Sequence, residues 1–190
     1  MNTSGVIVVD YRPQWAQQFE HERTRLMATL ADRVIDIVHV GSTAVPGLAA
    51  KPVIDMMAGV GSLETFDAAN SAAQMAQLGY LYHPEHEDTM PERRYFTAGH
   101  DNPEHPVGRW FQLHLVEQVS DFWTRHLIFR DYLRTHPAER DAYGLFKKQL
   151  APAHTSTFAY SEAKSEFIAR LESRALYWAQ HQAGEQGDAL

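Results

Sequence analysis

Gly41, Ser42 and Asp55 are the residues whose types and spacing best suit chemistry on a phosphate group. The apolar run VIDIVHV ends in Gly41-Ser42, and Asp55 lies within a second apolar run, PVIDMMAGV. Glycine lets the backbone approach a ligand closely, and a serine hydroxyl with adjacent N–H groups donates to phosphate oxygens. A carboxylate on a neighbouring strand then holds a divalent cation beside those oxygens. The alternative interpretation is an architectural turn followed by a solvated aspartate.

The stretch around these residues resembles two related groups of proteins. Polymerase-beta-type nucleotidyltransferases carry a hydrophobic residue, Gly-Ser, a spacer and then Asp-x-Asp, and the pattern here is similar at Val40, Gly41, Ser42 and Asp55. The full stretch HVGSTAVPGLAAKPVIDMMAGV resembles the signature of the GrpB-like proteins. The later segments RWFQLHLVE, HLIFRDYLRTHP and AYSEAKSEFI resemble theirs in the same order. The resemblance runs from about residue 6 to residue 172 and implies a nucleotidyltransferase-like fold.

The chain departs from the transferase pattern at Met57. Acids at positions i and i+2 of a strand share one face and reach the same metal ions, but a thioether is a poor ligand for a hard cation. A third acid normally comes from a following strand, and His114, which shares a strand face with Gln112, is our candidate for its place. A structural histidine, hydrogen-bonded within the sheet, is the alternative interpretation of His114.

Asp55 and His114 are therefore our candidate catalytic residues and metal ligands, with Glu117 as a candidate assistant. The cofactor that they allow is a divalent metal, magnesium or manganese. A carboxylate paired with an imidazole suits manganese or zinc better than magnesium, because magnesium prefers oxygen ligands.

A phosphorylated ligand also needs cations and hydrogen-bond donors around it. Lys51 lies between the turn and Asp55, and Lys164 lies in the first turns of the last predicted helix. Arg93 and Arg94 open a strand, so only one of them faces the ligand, and the alternation does not say which. For His39, a structural role and ligand contact are equally consistent with its position. The candidate substrate-binding residues are His39, Gly41, Ser42, Lys51, Arg93, Arg94 and Lys164.

Hydrophobic periodicity predicts the elements that position these residues. Strands are predicted at 5–10, 34–40, 52–60 and 109–117, and a hairpin is predicted from YLYH (80–83) and RRYFTA (93–98). Helices are predicted at 13–31, 63–78, 121–135, 138–150 and 157–181. Strands 34–40, 52–59 and 109–117 are expected to be neighbours in one mixed sheet, because two of the connections are too long for hairpins.

The predicted fold class is α+β, with a nucleotidyltransferase-like mixed β-sheet, flanking helices and a C-terminal helical cap. We expect a single domain over residues 1–190. Within it, a sheet-containing core covers about 5–118, the helical cap covers about 119–182, and residues 183–190 form a frayed tail.

Composition narrows the class of protein and of partner. The chain has 190 residues, a formal net charge of −7 and no cysteine, which excludes disulfides and thiolate catalysis. The negative charge argues against nucleic acid as a partner. No signal peptide is visible, and no window approaches the roughly 18 apolar residues of a membrane span. We expect a cytoplasmic protein whose partner is a nucleotide or another phosphorylated small molecule, and the oligomeric state stays open.

Three functions are compatible with these residues. We favour a nucleotidyltransferase-like domain that binds a nucleotide or phosphorylated metabolite and has degenerate or weak transfer activity, because Met57 replaces the second carboxylate. The first alternative is an active metal-dependent nucleotidyl or phosphoryl transferase. The second is a folding or interaction partner of a nucleotide-handling enzyme such as dephospho-CoA kinase, to which a similar domain is appended in some bacteria. For a binding cradle, Met57→Asp is expected to raise magnesium affinity by supplying the missing ligand.

Overall fold

The computed structural model describes residues 5–64, 68–99 and 109–187 of the chain. Its helices are α1 (Gln14–Leu30), α2 (Ala68–Gln77), α3 (Asp121–Thr135), α4 (Pro137–Leu150) and α5 (Thr157–Gly187). Its strands are β1 (Asp36–Val40), β2 (Ile54–Val60), β3 (Tyr80–Tyr82), β4 (Arg93–Ala98) and β5 (Phe111–Glu117). Among the described residues, no helix is both long and apolar enough to cross a membrane.

The strands form one mixed sheet in the order β1-β2-β5-β4-β3. β2 and β5 are parallel, and every other neighbouring pair is antiparallel. The register places Asp55 beside Gln112 and Met57 beside His114, so these four side chains project from the same face of the sheet. The mixed sheet and the hairpin of β3 with β4 confirm the predictions from the sequence.

The two faces of the sheet are covered by different helices. The face of β2 that carries Met56 packs in a large cluster with apolar residues of α1 and α2. The face that carries Met57 packs against Phe122 and Trp123 at the start of α3. A strand covered on both sides needs apolar residues at nearly every position, which explains the continuous apolar run at 52–60. Asp55 interrupts this run on the α3 face.

Helices α3, α4 and α5 pack on one another and on the loop that follows β1. Ser120 caps α3 by accepting a hydrogen bond from the Trp123 backbone N, and Pro137 opens α4. The buried residues that join these helices to the loop are Val45, Leu48, Tyr132, Leu133, Tyr143, Leu171 and Ala175. This packing places side chains of α4 and α5 over the Gly41-Ser42 turn.

The first predicted strand and the end of the last helix differ from the structure. Residues 5–10 form no strand, because their backbone has two separate partners instead of one neighbouring strand. Val6 donates to the His154 carbonyl, and Val9 forms a single bridge with Ala50. Helix α5 continues to Gly187, beyond the predicted start of the tail at residue 183. Of the helix predicted at 63–78, residues 65–67 lie outside the described residues.

Candidate functional site

The turn after β1 brings the backbone against Asp55. Gly41 has a φ of +69°, a conformation that favours glycine, and a Cβ atom added to it would lie 2.6 Å from Asp55 Oδ2. Behind the turn, the buried Thr43 hydroxyl donates to the Val53 carbonyl and lies 3.0 Å from His39 Nε2. The loop between β1 and β2 is therefore tied closed, with Ser42 held above Asp55.

A cavity of about 190 Å³, called here the inner cavity, lies between this turn and helices α4 and α5. It holds about six water molecules at ~30 Å³ each, which is the size of a small anion with its hydration. The inner cavity is lined by Ser42, Thr43, Ala50, Lys51, Val53, Asp55, Gln112, Lys147, Tyr160, Ser161 and Lys164.

Three lysines reach the inner cavity from separate elements. Lys147 of α4 is only 2% exposed, and its Nζ donates a 2.7 Å hydrogen bond to Ser42 Oγ. The Nζ atoms of Lys51 and Lys164 lie 5.8 and 4.7 Å from the ring centre of Tyr160. In the part of the chain that the structure describes, none of these ammonium groups forms a salt bridge. Lysine is rarely so buried without an anionic partner.

Burial shifts the pKa of the charged groups in this cavity. Burial raises the pKa of Asp55 to about 6, although Lys51, Lys164 and Lys147 act in the opposite direction. Burial lowers the pKa of Lys164 to about 8, and repulsion from Lys51 is the second cause of this shift. Burial also lowers the pKa of Lys51, and it lowers the pKa of Lys147 strongly. One carboxylate therefore does not compensate for the burial of three cations.

A second cavity of about 310 Å³, called here the outer cavity, adjoins the first. Both are lined by Lys51, Gln112 and Ser161. The remaining residues that line the outer cavity are His86, Arg93, Tyr95, Arg109, His114, Thr157 and Phe158. Asp55 faces the inner cavity and His114 the outer one, so the two residues share a sheet face but line adjoining chambers.

His114 is held by its neighbours in a neutral form. Its ring stacks on Tyr95 with the ring centres 5.1 Å apart, and its Nδ1 lies 2.8 Å from an Arg93 guanidinium nitrogen. Burial, and then the charge of Arg93, lowers the pKa of His114 well below its usual value. A guanidinium only donates, so Nδ1 accepts this hydrogen bond and is not free to bind a metal ion.

His39, Arg94 and Glu117 lie away from both cavities. His39 projects to the opposite face of the sheet and stacks on Phe19 at 4.7 Å, and burial lowers its pKa to about 3. Arg94 also projects to that face and pairs with Glu87 at 3.4 Å. Glu117 accepts a hydrogen bond from the Leu63 backbone. Strand alternation explains all three positions, and the register of β4 with β5 shows that Arg93 is the arginine that faces the site.

Lys147, Gln112, Arg109 and Tyr160 line the cavities but were not among the candidates from the sequence. Lys147 carried a usable signal, because it follows the buried Tyr143 by one helical turn and so lies on the core-facing stripe of α4. The hydroxyl of Tyr160 is buried and has no hydrogen-bond partner among the described residues. No local pattern marks Arg109, whose cavity is formed by distant segments.

The donor atoms here do not fit the metal centre that the transferase pattern implies. Asp55 is the one carboxylate among the described residues that line the inner cavity, and it lies among lysines that repel a cation. Met57 is fully buried in an apolar cluster, and His114 Nδ1 already accepts from Arg93. Among the described residues, a hard cation that requires several oxygen ligands finds too few of them.

Comparison with known proteins decides the family. The sequence model described as GrpB protein matches residues 5–174. The chain belongs to the GrpB family. It is 38% identical over 174 residues to UPF0157 protein YqkA of Bacillus subtilis, which covers 91% of this chain and 48% of that protein, so the chain spans about half of that relative's length. It is 28% identical over 183 residues to a dephospho-CoA kinase of Mycolicibacterium paratuberculosis, covering 88% of this chain and 45% of the kinase.

Solved structures agree on the fold. The crystal structure of conserved protein GrpB from Enterococcus faecalis matches with a TM-score of 0.77 and 36% identity, over 90% of this chain and 99% of that one. The structure of Cid1 in complex with its short product ApU matches with a TM-score of 0.50 and 13% identity, over 74% of this chain and 42% of that one. The fold of this GrpB chain is therefore α+β and nucleotidyltransferase-like.

Proposed function

We propose that the inner cavity binds the phosphate group of a nucleotide or another phosphorylated metabolite, and that it does so without a metal ion. The observation that carries this proposal is the convergence of Lys51, Lys147 and Lys164 on Asp55, the one carboxylate among the described residues that line the cavity. If all four groups are ionised, the site has an excess of positive charge in a region of low dielectric. A bound anion supplies the missing charge and stabilises the protonated lysines.

The donors around the cavity suit phosphate oxygens. Ser42 Oγ accepts from Lys147 Nζ, and this hydrogen bond holds the ammonium group at the cavity wall as a charged donor. The buried Tyr160 hydroxyl lacks a partner among the described residues and supplies another donor at the cavity wall. Hydrogen bonds from charged donors to phosphate oxygens are shorter and about twice as strong as neutral ones. The lysines thus neutralise phosphate charge, as metal ions do in a transferase.

The same geometry argues against efficient nucleotidyl transfer. Transfer through two metal ions needs carboxylates that hold both ions beside the attacking and leaving oxygens. Here the site offers Asp55, while the position two residues later is the buried Met57. We therefore favour a binding domain with degenerate or weak transfer activity over an active metal-dependent transferase.

A role beside a nucleotide-handling enzyme is the second candidate, and the similarity to a dephospho-CoA kinase favours it. A domain of this kind would supply a phosphate-binding surface to the larger protein. Such a role adds to ligand binding and does not replace it, since the buried lysines still need an anion.

Isothermal titration calorimetry with pyrophosphate tests the proposal. We expect wild type to bind in the presence of EDTA, with no gain in affinity from magnesium. Lys147→Met should weaken binding at least about tenfold, which corresponds to ~1.4 kcal/mol. Lys148→Met is the matched control, because this exposed neighbour pairs with Asp10 and lies away from the cavity. Binding that requires magnesium, or equal affinities for wild type and Lys147→Met, would contradict the proposal.

A further inference from the structure

The outer cavity contains positive charge that the described residues do not balance. Lys51 and Arg93 line it, and neither forms a salt bridge with an aspartate or glutamate in the described part of the chain. This is unexpected in a protein with a net charge of −7. Like charges gathered in a concave, partly buried site repel one another, and they persist where an anion compensates for them.

The guanidinium of Arg93 is held in place by its neighbours but retains an unused hydrogen-bond donor. Its guanidinium carbon lies 4.9 Å from the centre of the Tyr95 ring, and one terminal nitrogen donates to His114 Nδ1. Its Nε is buried and has no hydrogen-bond partner among the described residues. The neighbouring Arg94, on the other face, pairs with Glu87. A buried donor left without a partner is costly, so the site gains free energy when a ligand oxygen reaches it.

The arginine is fixed before any ligand arrives. The neutral His114 accepts from Arg93, and the Tyr95 ring lies against both the His114 ring and the guanidinium. The hydroxyl of the same Tyr95 accepts a 2.7 Å hydrogen bond from Arg109. One tyrosine therefore orients both arginines of the outer cavity. A guanidinium whose rotamer is already restricted loses less entropy when it binds an anion.

We propose that the outer cavity is a second anion subsite, centred on Arg93, and that the ligand of this domain carries at least two acidic groups. One group occupies the lysine-lined inner cavity and the other the outer cavity, with the connecting atoms passing Gln112 and Ser161, which line both. The ligand class is a polyphosphate or a phosphate ester with a second acidic group. This inference rests on the proposed function of the inner cavity, which it extends.

Linear polyphosphates of increasing length test the inference, with affinities measured by calorimetry in EDTA. In wild type, affinity should rise at least about tenfold from orthophosphate to tetrapolyphosphate, the gain expected from one further charge-assisted contact. Arg93→Gln should lose that gain, so that its affinity for tetrapolyphosphate falls at least about tenfold more than its affinity for orthophosphate. Arg94→Gln, the neighbour on the opposite face, should retain the gain. Thermal melts of the free variants check that each is folded.

A second substitution tests the outer cavity without disturbing Arg93 or His114. Thr157 lines the outer cavity only, in the first turn of α5, where an acid is compatible with the helix dipole. Thr157→Glu should weaken tetrapolyphosphate binding at least about tenfold and leave orthophosphate binding unchanged, because a carboxylate then competes for the cations.

The outcomes separate this inference from the function on which it rests. If wild type binds orthophosphate but gains nothing with chain length, the second subsite is refuted and the inner cavity stands. The same holds if Arg93→Gln and Thr157→Glu bind tetrapolyphosphate as wild type does. If Arg93→Gln weakens orthophosphate binding equally, the two cavities are one site and the inference is wrong. If wild type binds no phosphate compound, the proposed function itself fails.

Discussion

Gly41 and Asp55 approach each other so closely that no side chain fits between them. A Cβ atom on Gly41 would lie 2.6 Å from Asp55 Oδ2 and 3.0 Å from its Cβ, so both ends of the carboxylate side chain exclude it. The φ of +69° at Gly41 independently disfavours any other residue. The turn and the acid are therefore one structural unit, in which the glycine positions Ser42 and the aspartate occupies the space that a side chain would fill.

Replacing this glycine should damage both stability and binding. Gly41→Ala is expected to destabilise the protein by at least about 2 kcal/mol, because the backbone of Gly41, with φ +69° and ψ −170°, adopts a conformation that costs other residues ~1–3 kcal/mol before any clash is counted. It should also weaken pyrophosphate binding by moving Ser42 or Asp55. Gly61→Ala is the matched control, since an added Cβ there meets nothing within 4 Å and its φ is not positive. Thermal unfolding of both variants measures the difference, and equal melting temperatures would contradict the prediction.

The fold was largely predictable from the sequence because its signals are local. β2 is covered on both faces and is a continuous apolar run, Ser120 caps α3, and Pro137 opens α4. The prediction of a strand at 5–10 was wrong. Apolar residues also occur in segments that pack on the core without pairing with a strand, and Val6 packs in this way with Ala151 and Tyr160. Strand formation depends on an available neighbour, which the sequence of the segment does not encode.

The positions of the site residues were predictable only where they follow from the residue pattern within a single strand or helix. The resemblance and strand alternation grouped Asp55 with His114 as candidate metal ligands, and the register places them on one face of the sheet, but the sequence did not distinguish two chambers along that face. The position of His39 just before the turn made it a candidate substrate-binding residue. Its side chain lies on the opposite face of the sheet, away from both cavities. Lys147 reaches Ser42 across 105 positions of sequence, and a contact of that range depends on helix packing.

Asp55 is expected to lower the stability of the ligand-free protein at neutral and alkaline pH. Its pKa is raised to about 6 in the folded state, so folding favours its protonated form. Wild type therefore loses stability as pH rises from about 4 through about 6. At about pH 8, Asp55→Asn should be more stable by up to about 3 kcal/mol, at 1.36 kcal/mol per pKa unit. This limit already includes the attraction of the lysines, which opposes the cost of burial.

Urea unfolding of Asp55→Asn and wild type across this pH range tests that linkage. The difference in unfolding free energy should disappear below about pH 4, where both side chains are neutral. Asp10→Asn, at an exposed ion pair, is the control and should change stability by less than about 0.5 kcal/mol at every pH. A variant less stable than wild type at about pH 8 would show that the lysines outweigh the cost of burying the carboxylate.

Anion affinity should fall in two steps as pH rises. Sulfate is the probe, because it keeps both charges between about pH 5 and about pH 9, so only the protein titrates. Ionisation of Asp55 near pH 6 adds repulsion, and loss of the Lys164 proton near pH 8 removes attraction, so each step lowers affinity. Asp55→Asn should abolish the lower step, and Lys164→Met the upper one. Calorimetry over this range measures the profile, and an affinity that rises with pH would exclude a lysine-based cradle.

Met57→Asp should destabilise the protein instead of completing a metal site. The sequence suggested that an acid here supplies a missing magnesium ligand, because Met57 shares a strand face with Asp55. In the structure, Met57 has no exposed surface and packs with Val40, Val116 and Trp123. A carboxylate in that cluster would be buried without a partner, at a cost on the order of 4 kcal/mol.

Magnesium-dependent thermal stability separates these two expectations. Met57→Leu, which preserves volume and apolarity, should stay within about 1.5 kcal/mol of wild type. Met57→Asp should unfold at a much lower temperature and gain nothing from magnesium, since the new carboxylate faces Trp123 and not the inner cavity. If Met57→Asp instead bound magnesium, a concentration 100 times the dissociation constant would add about 2.7 kcal/mol of stability. That result would mean that the cluster opens to let the acid reach Asp55, and it would restore a metal-dependent transferase as the better interpretation of this site.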